Sequence, residues 1–144
     1  MTPAKVAGTV VFDNEPVQAL LDPRHAKHRR ALALVEATVA RNLRRAGSQQ
    51  LAVPTAVRVE AGWARRAPRA AAINRLRVTD ATLDGEAADR AVAIRSALGV
   101  SVPDAHLGAV MGSATAPVVV VTSDVDDVER AAHHLGRTVT VVRL

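Results

Sequence analysis

Asp13 directly follows the apolar run Val10-Val11-Phe12, and Asp124 follows Val118 to Val121 with only Thr122 and Ser123 between. Both runs are short and unalternating, as strands covered on both faces are. Sites in open α/β sheets form beyond the carboxyl ends of the strands, so the two aspartates are expected on one edge. Asp104 stands beside Pro103, in the expected first turn of the helix that precedes the Val118 strand. Glu60 lies within an expected helix over Thr55–Ala67, with Ala56, Val57 and Ala64 three or four positions away. A glutamate on such an apolar face is costly to bury unless something compensates it. Clustered carboxylates repel one another, and a cation relieves that repulsion. Oxygen ligands without cysteine or a usable histidine pair favour a hard ion, Mg²⁺ or Mn²⁺, over zinc. Such an ion polarises a phosphate and lowers the pKa of an attacking water.

Each acid also has a plainer role. Asp124, Asp126 and Asp127 open a helix, where carboxylates cap free N–H groups and complement the macrodipole. Capping is the expected role of Asp126. Asp104 could decorate a first turn, Asp13 could be a loop acid, and Glu60 could reach solvent. The joint occurrence of all four at positions this topology brings together is what favours a site.

The elements that must position them read as strands alternating with helices. The strands are Thr9–Phe12, Leu51–Val53, Leu76–Thr79, Val118–Val121 and Thr138–Val142. Glu15–Leu21 is a short helix and His25–Ala46 a long one, with Ala31, Leu34, Val35, Thr38, Val39 and Leu43 as its apolar stripe and Gly47 beyond its end. Thr55–Ala67 is halted by Pro68, with a further short helix up to Leu76. Asp84–Leu98 is stopped by Gly99, Pro103–Met111 carries its proline in the first turn, and Asp124–Leu135 is stopped by Gly136. This alternation predicts a three-layer α/β/α sandwich around a mostly parallel sheet of about five strands.

The 144 residues suit a single domain over 1–144, with no internal repeat or linker. Phe12 and Trp63 are the only aromatics, so the core must be built from Ala, Val and Leu. The absence of cysteine makes a reducing cytoplasm the expected compartment. Neither a signal peptide nor a membrane-spanning run is visible. Residues 1–79 carry a balance of +9 and residues 80–144 one of −4. The basic half suits a polyanion such as nucleic acid, but solvated helix faces rich in Arg and Ala explain it equally well.

The segments VVFDNEPVQALLD, AVPTAVRVEAGW, SVPDAHLGAV and VVVVTSDVDDVERAA occur in the order and spacing of the PIN-domain ribonucleases. They resemble most the toxin half of bacterial VapBC-type toxin–antitoxin pairs, over nearly the whole chain. The resemblance implies a PIN-like fold and a metal-dependent endoribonuclease. It also implies an RNA substrate, a cognate antitoxin and frequent homodimerisation. The family's acids map onto Asp13, Glu60, Asp104 and Asp124, with Asp127 one helical turn from Asp124. Asp13 and Asp104 are the expected metal ligands. Glu60 and Asp124 are expected to hold metal waters or a second ion, and Thr122 and Ser123 add hydroxyls. Where the family has Thr or Ser after the first aspartate, this chain has Asn14, then Glu15 and Pro16. Asn14 can still hydrogen-bond a metal water or a phosphate, and Glu15 adds a fifth nearby carboxylate.

Arg58, Arg65 and Arg66, on the Glu60 helix, are the expected phosphate contacts. Base stacking is a poor option in a chain without tyrosine. His25 and His28, amid Arg24, Lys27, Arg29 and Arg30, read as solvated surface. His133 and His134 point to different faces, and His106 lies off the Asp104 face. No G-x-S-x-G turn or Gly-rich phosphate loop occurs. A receiver-like signalling domain would need a lysine late in the chain, and Lys5 and Lys27 are the only lysines. The remaining alternative is a PIN-like module that binds RNA or protein without cutting, its first motif having drifted to Asp13-Asn14-Glu15-Pro16.

Overall fold

A computed structural model of the chain describes residues 5–44 and 47–144. Among them, β1 (Lys5–Phe12), β2 (Gly47–Pro54), β3 (Thr79–Ala81), β4 (Val118–Thr122) and β5 (Val139–Arg143) form one sheet in the order β3-β2-β1-β4-β5. Every neighbouring pair is parallel. The central strands alternate between two buried faces. Val10 and Phe12 of β1 point into one core with Leu51, Val53 and Val121; Val11 points into the other with Val118 and Val120.

The first core is closed by α1 (Asn14–Leu21), α2 (His28–Arg44), α3 (Thr55–Ala61) and α4 (Ala71–Asn74), through Val17, Leu20, Ala31, Val35, Val57 and Ile73. The second is closed by α6 (Val102–Ser113) and α7 (Val125–Leu135), through Leu107, Met111, Val128 and Ala131. Helix α5 (Gly85–Leu98) packs on α6 through Ala91 and Ile94 rather than on the sheet. The expected three-layer α/β/α sandwich with a parallel five-stranded sheet is therefore the observed fold.

Several boundaries differ from the sequence reading, three of them with a clear local cause or consequence. The helix expected over Thr55–Ala67 stops at Ala61, because Gly62 takes a left-handed C-cap at φ +75°. Pro68 instead opens a short 3₁₀ turn over Pro68–Ala70, as a proline at the first helical position does. The strand expected over Leu76–Thr79 is displaced to Thr79–Ala81, behind Arg77 in a positive-φ conformation. The long helix begins at His28 rather than His25, and its expected end at Ala46 lies outside the described residues. Along its stripe Ala31, Val35 and Thr38 are buried, whereas Val39 is exposed.

Candidate active site

The strand order reverses direction between β1 and β4, so their carboxyl ends flank the crevice where ligands of doubly wound sheets bind. Phe12 pairs with Val121 in the ladder, which sets Asp13 and Thr122 side by side just beyond. Asp13 is the N-cap of α1, and Asn14 donates its backbone N–H to Asp13 Oδ1 at 2.7 Å. The fully buried Thr122 hydroxyl donates to Asp13 Oδ2 at 2.8 Å and accepts the Asp124 N–H at 2.9 Å. One threonine thus ties both strand ends together.

Asp104 enters from the first turn of α6, where Ser101 supplies the helix cap at 3.3 Å. Asp124 occupies the N-cap position of α7, yet its side chain makes no capping hydrogen bond. Its carboxylate is therefore free of the plainer role. Asp13, Asp104, Asp124 and Asp127 line one cleft whose other wall is Ile94, Leu98, Val100, Leu107 and Val128. The enclosed space is ≈ 20 Å³, about the room of one water molecule.

The electrostatics follow from this crowding. Burial pushes the Asp13 carboxyl above its ordinary range against the hydrogen bonds from Thr122 and Asn14, and the charges of Asp104 and Asp124 add to the rise. Glu60 is raised as well, by partial desolvation and then by Asp104 and Asp13. A hydrogen bond with Asp124 and that residue's charge raise Asp127, which Arg130, 4.0 Å away, offsets only in part. Among the described residues, Asp13, Glu60, Asp104 and Asp124 form no ion pair, and Arg130 is the one basic partner of Asp127.

Glu60 is not buried on an apolar face, as its neighbours in sequence suggested. It is exposed at the end of α3, and Val57 is the side chain that helix buries. Glu60 nevertheless lies within electrostatic reach of Asp13 and Asp104. Helix α3 is pinned to α6 by His106, which is completely buried and accepts the Ala56 N–H at Nδ1, 3.3 Å away. Burial pushes the His106 imidazole down, towards the neutral form that can accept this bond. In the sequence His106 lies off the Asp104 face, and a single apolar-flanked histidine carries no signal of a partner fifty residues earlier.

Among the outlying candidates, Arg58 and Arg65 are committed elsewhere. Arg58 bonds Asp80 at 2.7 Å and the Trp63 carbonyl at 3.1 and 3.2 Å. Arg65 bonds Asp80 and the Val78 carbonyl, at 2.8 and 2.7 Å. Both guanidinium groups lie over the Trp63 ring, 5.4 and 4.3 Å from its centroid. Arg66 is exposed. Asn14 directs its side chain to Gln18 rather than to the acids. Glu15 also turns aside. The Ser123 hydroxyl and the Lys27 ammonium hold its carboxyl below the ordinary range.

Among the described residues, no group of three or more His, Asp or Glu side chains stands as a ready-made metal cage. The donor set nonetheless fits a hard cation that keeps several waters and takes only one or two carboxylates directly. Asp13 and Asp104 share the small cleft, and uncompensated negative charge surrounds them.

No protein-family model matches the chain, and no curated protein matches it. Among solved structures, it is similar to a chain of the crystal structure of VapBC2 from Rickettsia felis bound to a DNA fragment from their promoter. The TM-score is 0.57 over 94% of this chain and 98% of that chain, at 10% sequence identity. At this identity the likeness is one of fold, and it covers nearly the whole chain.

Proposed function

We propose that this protein is a Mg²⁺- or Mn²⁺-dependent endoribonuclease that hydrolyses RNA phosphodiester bonds, the toxin of a toxin–antitoxin pair. The observation that carries the reading is the placement of Asp13, raised first by its burial and then by the charges of Asp104 and Asp124, with those two residues in one cleft at the β1/β4 switch point. A protein retains such repulsion where a cation or a reaction uses it. Asp13 and Asp104 would hold the ion, which supplies Lewis-acid polarisation of the scissile phosphate and activation of water. Thr122 holds Asp13 and the Asp124 backbone in fixed relation. Asp124 and Glu60 accept hydrogen bonds from water and orient the nucleophile, and the Asp124–Asp127 pair can take up its proton.

Phe12 and Trp63 are both buried, so RNA recognition rests on phosphates and backbone shape rather than base stacking. The antitoxin partner is inferred from the sequence resemblance and from the fold likeness to a VapBC2 chain, and the homodimer from the resemblance alone. Among the described residues, no helix is long and apolar enough to cross a membrane.

The test is cleavage of a structured RNA by purified protein with and without Mg²⁺ or Mn²⁺, beside Asp13→Asn and Asp104→Asn. Metal-dependent cutting that disappears in both variants supports the nuclease. Equal residual cutting in wild type and variants identifies a contaminant and removes the claim. A second reading, a binding module that does not cut, draws on the Asn14-Glu15-Pro16 sequence and on the lack of a ready-made metal cage among the described residues. It requires feeble Mn²⁺ binding by calorimetry.

A further inference from the structure

With Arg58 and Arg65 tied to Asp80 and Arg130 beside Asp127, two further basic groups near the acid cleft lie on the connection between α1 and α2. Glu15 is two residues beyond Asp13, and Ser123 immediately precedes Asp124, so together they flank the two strand ends. Lys27 Nζ lies 3.1 Å from Glu15 Oε1, and His25 Nε2 lies 3.9 Å from the same oxygen. His25 Nδ1 accepts the Lys27 backbone N–H at 3.0 Å, so that in the neutral ring the proton sits on Nε2, towards Glu15.

The connection that carries these donors is fastened independently of Glu15. Asp22 Oδ1 accepts the Arg24 N–H at 2.9 Å, the Asp22 carbonyl accepts the His25 N–H at 3.0 Å, and His28 Nδ1 is paired with the Ala19 carbonyl at 2.8 Å. The histidines that read as solvated surface are thus staples of a fixed turn. The Glu15 and Lys27 side chains retain 32% and 30% of their exposure. An ion pair this exposed adds little to stability, so the fold does not depend on it. The arrangement is an ammonium and an imidazole N–H facing one carboxylate.

We infer that Lys27 and His25 form an anion subsite for one RNA phosphate beside the acid cleft, and that the Glu15 carboxylate occupies it in the free protein. This rests on the nuclease reading above. Substrate binding then exchanges one anion for another. The phosphate takes the donors, Glu15 turns to solvent, and Lys27 is already positioned when the RNA arrives. Glu15 lowers affinity for every RNA alike, because it competes for a phosphate contact and reads no base.

The experiment measures fluorescence anisotropy of a labelled single-stranded RNA in EDTA over a range of salt, for wild type, Glu15→Gln, Glu15→Gln/Lys27→Gln and Glu15→Gln/Lys27→Arg. Glu15→Gln is expected to tighten binding about threefold to tenfold and to steepen the log–log salt slope by about 0.7, the signature of one added phosphate contact. Adding Lys27→Gln should reverse both changes, and Lys27→Arg should keep them. Unchanged affinity and slope in Glu15→Gln, or no effect of Lys27→Gln in that background, overturns the subsite. The same preparations are assayed for cutting with Mg²⁺. Wild type that cuts while the slopes stay fixed removes the subsite alone, whereas wild type that neither cuts nor binds RNA removes the nuclease reading and the subsite with it.

Discussion

Two knots of charge sit along this sheet, and they differ in how their charge is answered. In the first, beside the end of β2, Asp80 receives Arg58 and Arg65, whose guanidinium groups also cover Trp63 and bind backbone carbonyls. Every charge there has an opposite partner, and the cluster closes the sheet edge over a buried indole. In the second, at the ends of β1 and β4, Asp13, Asp104, Asp124 and Asp127 face one cleft and one another. The Thr122 hydroxyl and the Asn14 N–H hold Asp13, Arg130 stands 4.0 Å from Asp127, burial raises the Asp13 carboxyl and Asp124 raises that of Asp127. Compensated charge builds scaffold, whereas uncompensated charge marks a place where the molecule expects a ligand. The expectation that Arg58 and Arg65 contact the substrate does not foresee Asp80, which both already bind.

Breaking the two knots should therefore give opposite results. The largest effect is expected in the compensated one, where Trp63→Ala removes the buried indole and costs about 3–5 kcal/mol in urea unfolding. In the acid cleft, Asp13→Asn should lower metal-dependent cleavage at least about a hundredfold, while raising the melting temperature of the metal-free protein. A fall in that temperature would mean that the Asp13 hydrogen bonds outweigh its repulsion. Thr122→Val keeps the shape but releases Asp13 and the Asp124 N–H, and about a tenfold loss in kcat/KM is expected from misplaced ligands. Arg65→Ala sharpens the contrast from the other side. It should cost about 1 kcal/mol of stability through the lost stacking and hydrogen bonds and leave cleavage per folded molecule unchanged.

The smallest effect is a pH dependence. The folded-state pKa values of Asp13 and Glu60 lie above their ordinary 3.8 and 4.5. Their contribution to metal-free stability is thus fully present below those ordinary values and is lost as pH rises through the folded values. Glu15, whose pKa is lowered, works in the opposite sense, with stability present above its ordinary value and lost as pH falls. Thermal melts from pH 3 to 8 should show the Asp13 part as the difference between wild type and Asp13→Asn. Mg²⁺ should remove that difference at the upper end of the range.

Much of this was legible in the sequence, for identifiable reasons. The runs at Val10–Phe12 and Val118–Val121 are apolar on both sides because both faces of those strands are covered, so the strands and the parallel sheet followed from composition. Asp13 and Asp124 could be placed because a residue just past a parallel strand has a single edge on which to lie. Glycine was the misjudged signal. At Gly62 the left-handed C-cap ends α3 well before Pro68, which proves to begin a turn rather than to stop a helix. The β3 strand was displaced for a similar reason, since Leu76 and Val78 have the composition of a strand but Arg77 holds positive φ.

Periodicity and spacing determined the elements, their order, and which acids stand at strand ends, because these depend on residues close in sequence. Which charges neutralise one another depends on residues far apart. Arg58 meets Asp80 across 22 positions, His106 accepts from Ala56 across 50, and Thr122 donates to Asp13 across 109. Only tertiary packing decides such pairings, because a charge takes whichever partner the fold brings within a few ångströms. The division between scaffold arginines and unanswered carboxylates, and with it the place of the candidate site, was settled there.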